Sequence, residues 1–296
     1  MTAFGSLLAA TDFSEDARRA CLRAAQLAKA RGAQLTLLHV VDRGALDSLQ
    51  DLFDAEALPE ATALAAAQQE LDRWAEELAA QTGVTALTRV SAGNVLDALT
   101  AAAQDADLLV LGARGASPLR DLIIGSTAER LIRRSPRPTL VVRQAPGADY
   151  RRLLVPADFS TASQPSLELA LRFAPDATLT LVHALDTSTE GKLWLAGVSN
   201  EKMRAHRARA RSQAMAQAGE LIARAGGERQ RIAVVVEADD AARLVLATAA
   251  ARDADLIVIG RQGQSLLADF LLGSVTRHVV TGAACDVLID AMPGAS

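Results

Sequence analysis

Two stretches of the chain pair glycines with a hydroxyl-bearing helix start, a combination that could hold phosphate. Gly112-Ala113-Arg114-Gly115 is followed after nine residues by Gly125-Ser126-Thr127. Gly260-Arg261-Gln262-Gly263 is followed after nine by Gly273-Ser274-Val275-Thr276. A glycine where a strand ends lets the backbone turn tightly and approach a ligand with no Cβ in the way. The later Gly-Ser opens a helix, whose free N–H groups and positive dipole end suit an anion. Such a loop can ring a di- or triphosphate with donors. Asp12 and Asp158 lie just past the first strand of each half. If the first and fourth strands are neighbours, each aspartate faces its own glycine loop at the carboxyl ends of the strands, where open parallel sheets bind ligands. A carboxylate there can accept hydrogen bonds from ribose hydroxyls or a base.

The elements that must position these residues occur twice. Ala106-Asp107-Leu108-Leu109-Val110-Leu111-Gly112 returns as Ala254-Asp255-Leu256-Ile257-Val258-Ile259-Gly260. Thr11-Asp12-Phe13-Ser14 returns as Ala157-Asp158-Phe159-Ser160, and Leu37-Leu38-His39 as Leu181-Val182-His183. So long a period is a duplicated domain rather than a solenoid unit. The boundary falls in the short stretch Gln144-Ala145-Pro146-Gly147-Ala148-Asp149, placing domains at 1–145 and 149–296. In the first copy, apolar runs near 4–10, 35–41, 84–90, 107–111 and 139–143 read as strands. Alanine-rich stretches near 14–31, 60–82, 94–104 and 126–134 carry helical spacing. Strand–helix alternation with continuously apolar strands predicts an α/β fold, a parallel sheet covered by helices on both faces. Ser14 and Asn94 stand where helix N-caps belong.

Composition excludes several classes. With 22% charged residues and a formal net charge of -4, the chain lacks the basic character of a dedicated nucleic-acid binder. The basic run from Lys202 to Arg211 spreads its charge around a helix without interleaved aromatics, the pattern of a solvated surface. Apolar stretches are broken well short of a membrane span, and the first residues lack the basic region of a signal peptide. Cys21 and Cys285 sit near opposite ends, and two inert thiols in a reducing compartment is the expected reading. These features together predict a cytoplasmic protein.

The Thr-Asp-Phe-Ser start, the Leu-His-Val end of the second strand and the doubled Gly-x2-Gly-x9-Gly-Ser signature resemble the universal stress protein family in its tandem-domain form, over nearly the whole chain. The resemblance implies two five-stranded parallel sheets of order 3-2-1-4-5, related by a pseudo-two-fold axis with their fifth strands paired, and allows a homodimer of the whole chain. It implies ATP as the ligand, with Mg2+ carried by the phosphates, in a nucleotide-sensing stress-response module. Asp12 and Asp158 would then meet the nucleoside, while Val40 and Ala184 would offer backbone to adenine. Gly112, Gly115, Gly125, Ser126 and Thr127 would hold phosphates in copy one. Gly260, Gly263, Gly273, Ser274, Val275 and Thr276 would do so in copy two.

Plainer readings stand beside these. The glycines can serve strand–helix turns, the aspartates can be helix N-terminal acids, and His39 and His183 read as structural. Thr276 stands where Ala128 stands in copy one, so the second hydroxyl is displaced by one residue between copies. An adenylating enzyme on a related sheet is disfavoured, because neither first-strand loop carries the Gly-rich run that holds pyrophosphate. No Walker lysine follows either glycine loop, so any ATP hydrolysis is expected to be slow. A scaffold whose pockets stay empty or hold another ligand remains the alternative.

Overall fold

The run Ser6–Thr11 forms β1, every residue after Ser6 buried, because it is covered on both faces. The computed structural model describes residues 4–44, 60–114, 125–147, 149–186, 198–262 and 272–291. Ser14 caps α1 (Glu15–Arg31) by accepting from the Ala17 N–H at 3.2 Å, and Gly32 ends it at φ 62°, a conformation that suits glycine. Then come β2 (Gln34–Asp42), α2 (Glu60–Thr82) and β3 (Leu87–Gly93). Asn94 accepts from Leu96 and Asp97 to cap α3 (Val95–Ala103), which leads to β4 (Leu108–Gly112), α4 (Ser126–Arg134) and β5 (Thr139–Val142).

The second copy repeats the order. It runs β6 (Arg152–Pro156), α5 (Ser163–Phe173), β7 (Thr178–Leu185), α6 (Asn200–Arg224), β8 (Ile232–Ala238), α7 (Ala241–Ala251), β9 (Leu256–Ile259), α8 (Ser274–Gly282) and β10 (Asp286–Ile289). Asp240 caps α7 as Asn94 caps α3. The chain divides into two compact units, 1–148 with 291–296, and 149–290.

Among the described residues, the strands in each unit pair in parallel. The first unit has the order β3-β2-β1-β4-β5 and the second β8-β7-β6-β9-β10. Right-handed crossovers then put α1 and α2 on one face of the first sheet and α3 and α4 on the other. Contacts of α1 with α2 and of α3 with α4 agree. The chain leaves β1 towards β2 and β3, then returns across the sheet to β4 and β5. The strand order therefore reverses between β1 and β4, and at the matching place between β6 and β9. β3 begins at Leu87, three residues after the apolar run at Val84, because its register against β2 starts with Thr36 opposite Leu87. No helix among the described residues is long and apolar enough to cross a membrane.

Candidate nucleotide crevice

In the first unit Leu7, Leu8 and Ala9 of β1 lie opposite Leu108, Leu109 and Val110 of β4. Asp12 and Gly112 thus leave neighbouring strands at the switch point. Asp12 is exposed and folds an Asx turn, its Oδ1 accepting from Ser14 N–H at 3.1 Å. In the second unit Asp158 is half-buried; its Oδ1 accepts from Ser160 N–H at 3.0 Å and from the Ser163 hydroxyl at 2.8 Å.

The glycines divide by job. A Cβ on Gly112 would lie 2.7–2.9 Å from backbone atoms of Asp16 and Ala17, so this glycine lets β4 pass the first turn of α1. Its counterpart Gly260 is less tight, 3.1 Å from Ser166 Oγ. Gly125 donates its N–H to Ala113 O at 3.0 Å, and Gly273 donates to Arg261 O at 3.0 Å. Each of these bonds ties a helix start to the segment that leaves the preceding strand. Neither α4 nor α8 has a side-chain cap at its glycine, so among the described residues the first-turn N–H groups are left uncapped. Ser126, Thr127 and Ser274 are exposed and Val275 is half-buried. Gly115 and Gly263 lie outside the described residues, as do Pro118, Gln264 and Ser265 of the intervening loops.

Thr276 departs from the expectation that its hydroxyl faces phosphate. It is 4% exposed and donates to Gly260 O at 2.8 Å. It stands on the inward face of its helix, as the matching Ala128 does at 8% exposure. The hydroxyl therefore braces α8 to the end of β9, and its proton is committed there.

The adenine-side positions follow from the ladder. Ala157 N–H donates to Val182 O at 2.9 Å. Main-chain groups two residues apart on a strand point the same way, so those of Ala184 point over the end of β6. In the first unit β1 ends at Thr11 opposite His39, while β2 continues through Val40 to Asp42. The side chain of Val40 is 7% exposed, which leaves its backbone as the part able to meet a ligand.

One constellation escaped sequence reasoning. Phe13 and Phe159 hold left-handed backbones at φ 63° and 59°, unusual for a bulky residue. Each ring lies on a histidine: Phe13 on His39 at 4.4 Å between centroids, Phe159 on His183 at 4.3 Å. His39 Nδ1 is 2.8 Å from Thr11 O and His183 Nδ1 is 2.8 Å from Ala157 O. A carbonyl only accepts, so each Nδ1 carries the hydrogen and the imidazole pins the end of one strand to the exit of its neighbour. The repeated Asp-Phe-Ser text was the available signal, since strain kept at the same place in both copies marks a built corner.

Charge around the two crevices differs. Arg114, inside the first glycine motif, donates Nε to Asp16 Oδ2 at 3.0 Å. In the second motif Arg261 is 9% exposed, and burial draws its guanidinium below the usual arginine range while Asp290 opposes that shift. Among the described residues no three His, Cys, Asp or Glu gather as for a metal ion. The arrangement suits holding an anion against helix-start N–H groups beside a carboxylate.

The model of the universal stress protein family matches the chain twice, over residues 3–143 and 149–290. A Staphylococcus haemolyticus protein named for that family is 29% identical over 147 residues, covering 48% of this chain and 87% of the relative. A Staphylococcus saprophyticus protein of the same naming is 31% identical over 147 residues, covering 48% and 86%. Among solved structures, a universal stress protein from Archaeoglobus fulgidus superimposes with a TM-score of 0.67 at 20% identity, covering 97% of this chain and 98% of that one. A functionally unknown protein from Pseudomonas aeruginosa gives 0.64 at 22%, covering 97% and 92%. At these identities the two structures speak to the fold alone. The doubled family match, spanning both compact units, makes this chain a member of the universal stress protein family that carries the domain in tandem.

Proposed function

We propose that each copy binds one adenine nucleotide, ATP with Mg2+ carried by its phosphates, and that the chain acts as a nucleotide-sensing module in the stress response. The observation that carries this reading is the repetition of one arrangement at both switch points. In each, an aspartate leaves the central strand, a glycine-opened helix with an uncapped first turn lies beside it, and the second strand overruns the first. The Ser126, Thr127, Ser274 and Val275 region would receive phosphate, Asp12 and Asp158 the ribose, and Val40 and Ala184 the base edge. The cation would supply charge neutralisation to the phosphates. Among the described residues no pair stands out as a base for water, so turnover would stay far below the typical enzyme rate of about 10 per second.

Substituting Ser126→Asp and Ser274→Asp tests this without harming the fold, because a carboxylate in a first helical turn favours the helix dipole while repelling phosphate. Calorimetric titration with Mg-ATP should lose one site in each single variant and two in the double, relative to the parent. Unchanged binding in the double variant would sink the proposal. A second reading, a scaffold without nucleotide, draws on the packing roles of Gly112 and Thr276. It requires that the parent bind no more Mg-ATP than the double variant in the same titration.

A further inference from the structure

At the amino ends of the strands in the second unit, the edge opposite the crevice, lies a groove of about 490 Å³. Its walls include Arg152, Arg231 and Arg252, over a floor that includes Leu153, Leu179 and Ile232. All three arginines are exposed, and none forms an ion pair among the described residues. Arg152 donates Nε to Asp253 O and Arg231 donates Nη2 to Pro175 O, bonds to neutral carbonyls that orient each guanidinium without cancelling its charge. Asp255, three residues after Arg252, has its carboxylate bound to the main-chain N–H groups of Arg151 and Arg152.

The first copy is an internal control for what the fold requires. Arg152 opens β6 as Ser6 opens β1, Arg231 matches Thr85 because Val236 lies opposite His183 as Val90 lies opposite His39, and Arg252 follows α7 as Gln104 follows α3. The same architecture therefore stands with no arginine at any of the three positions. A cation at the end of α7 also suits that helix dipole, which accounts for Arg252 alone. In a chain of net charge -4, three unpaired arginines on one groove form a local positive field that the fold does not need.

We infer that this groove is a second anion site, specific to the second copy, that takes a small molecule carrying two or more phosphate groups. Guanidinium forks match phosphate oxygens in bidentate pairs, and the bounded volume fits a small polyanion rather than an extended polymer. The site lies at the other end of the strands from Asp158 and does not rest on the nucleotide reading.

The test uses the full chain with inorganic tripolyphosphate as probe. Arginine modification by phenylglyoxal, mapped by mass spectrometry, should slow at Arg152, Arg231 and Arg252 when the probe is added, and not at Arg204 or Arg209. Arg152→Gln, at an exposed position, should raise by about tenfold the probe concentration that half-protects Arg231 and Arg252, the loss of one charge-assisted bond. Arg152→Lys should keep part of the affinity that Arg152→Gln loses. Equal modification rates with and without probe would overturn the proposal. So would protection of the three arginines by monophosphate and tripolyphosphate at the same concentration, since a site for joined phosphates must prefer the longer anion.

Discussion

The two copies share a strand order and a switch point, yet the text Asp-Phe-Ser begins a helix at once in one and not in the other. In copy one Ser14 caps α1 and the helix starts at Glu15. In copy two the helix waits until Ser163, its N-cap position is Ala162 with no side-chain bond, and Asp158 takes the Ser163 hydroxyl instead. A second contrast lies behind the glycine motif, where a Cβ on Gly112 would meet backbone at 2.7–2.9 Å and one on Gly260 would meet nothing nearer than the Ser166 hydroxyl at 3.1 Å. Duplication has thus kept the corner and re-solved its hydrogen bonds. Positions with two different solutions belong to local packing, whereas those kept alike, the Phe–His pair and the glycine-opened helix, are what the corner needs.

The largest effect that would sharpen this comparison is Gly112→Ala. A new Cβ within 3 Å of immovable backbone forces α1 off β4, so copy one should lose about 3 kcal/mol. Gly260→Ala meets Ser166 Oγ at 3.1 Å, which can turn, and the Gln262 carbonyl oxygen at 3.3 Å, and should lose about 1 kcal/mol. Hydrogen exchange mapped by peptide reads each copy separately. Equal losses would erase the distinction.

Thr276→Val should cost copy two about 1 kcal/mol by removing a buried donor from Gly260 O, while ATP affinity changes by less than about twofold. A tenfold weaker affinity with unchanged stability would return the hydroxyl to the phosphates. Ser14→Ala should cost copy one about 1 kcal/mol as a lost cap, against less than about 0.5 kcal/mol for Ser160→Ala. Similar values for the two would mean that α5 is capped like α1.

The smallest effect near neutral pH concerns Cys21, whose place in copy two is taken by the fully buried Leu167. Burial pushes the Cys21 thiol from 9.0 up to about 12. Because the folded state holds the proton more tightly, the contribution to stability is complete below about pH 9 and is lost as pH rises towards 12. Alkaline melts of the parent should fall more steeply than those of Cys21→Ala over that window. Alkylation at pH 8 should label Cys21 only on unfolding. Rapid native labelling would show an accessible thiol.

Much of the fold was legible because it rests on period and punctuation. The run Leu108–Leu111 reads as a covered strand, and Ser14 and Asn94 sit where caps act. Repetition doubled every such signal. Side-chain direction was not legible. Thr276 and Ser126 carry similar hydroxyls near a helix start, but only the helix phase turns one inward to Gly260 and leaves the other exposed. The left-handed Phe13 and Phe159 were hidden for a related reason, since no propensity assigns phenylalanine to that region.

By itself the sequence determined the α/β alternation, the duplication and the family, because all of these follow from local pattern and residue type. Tertiary structure alone decided what Gly112 and the Thr276 hydroxyl are for. Gly112 is small because α1 crosses β4 there, and the three arginines meet because β6, β8 and the end of α7 converge at one edge of the sheet. Those are distances between segments up to about a hundred residues apart in the chain, and local pattern holds no measure of them.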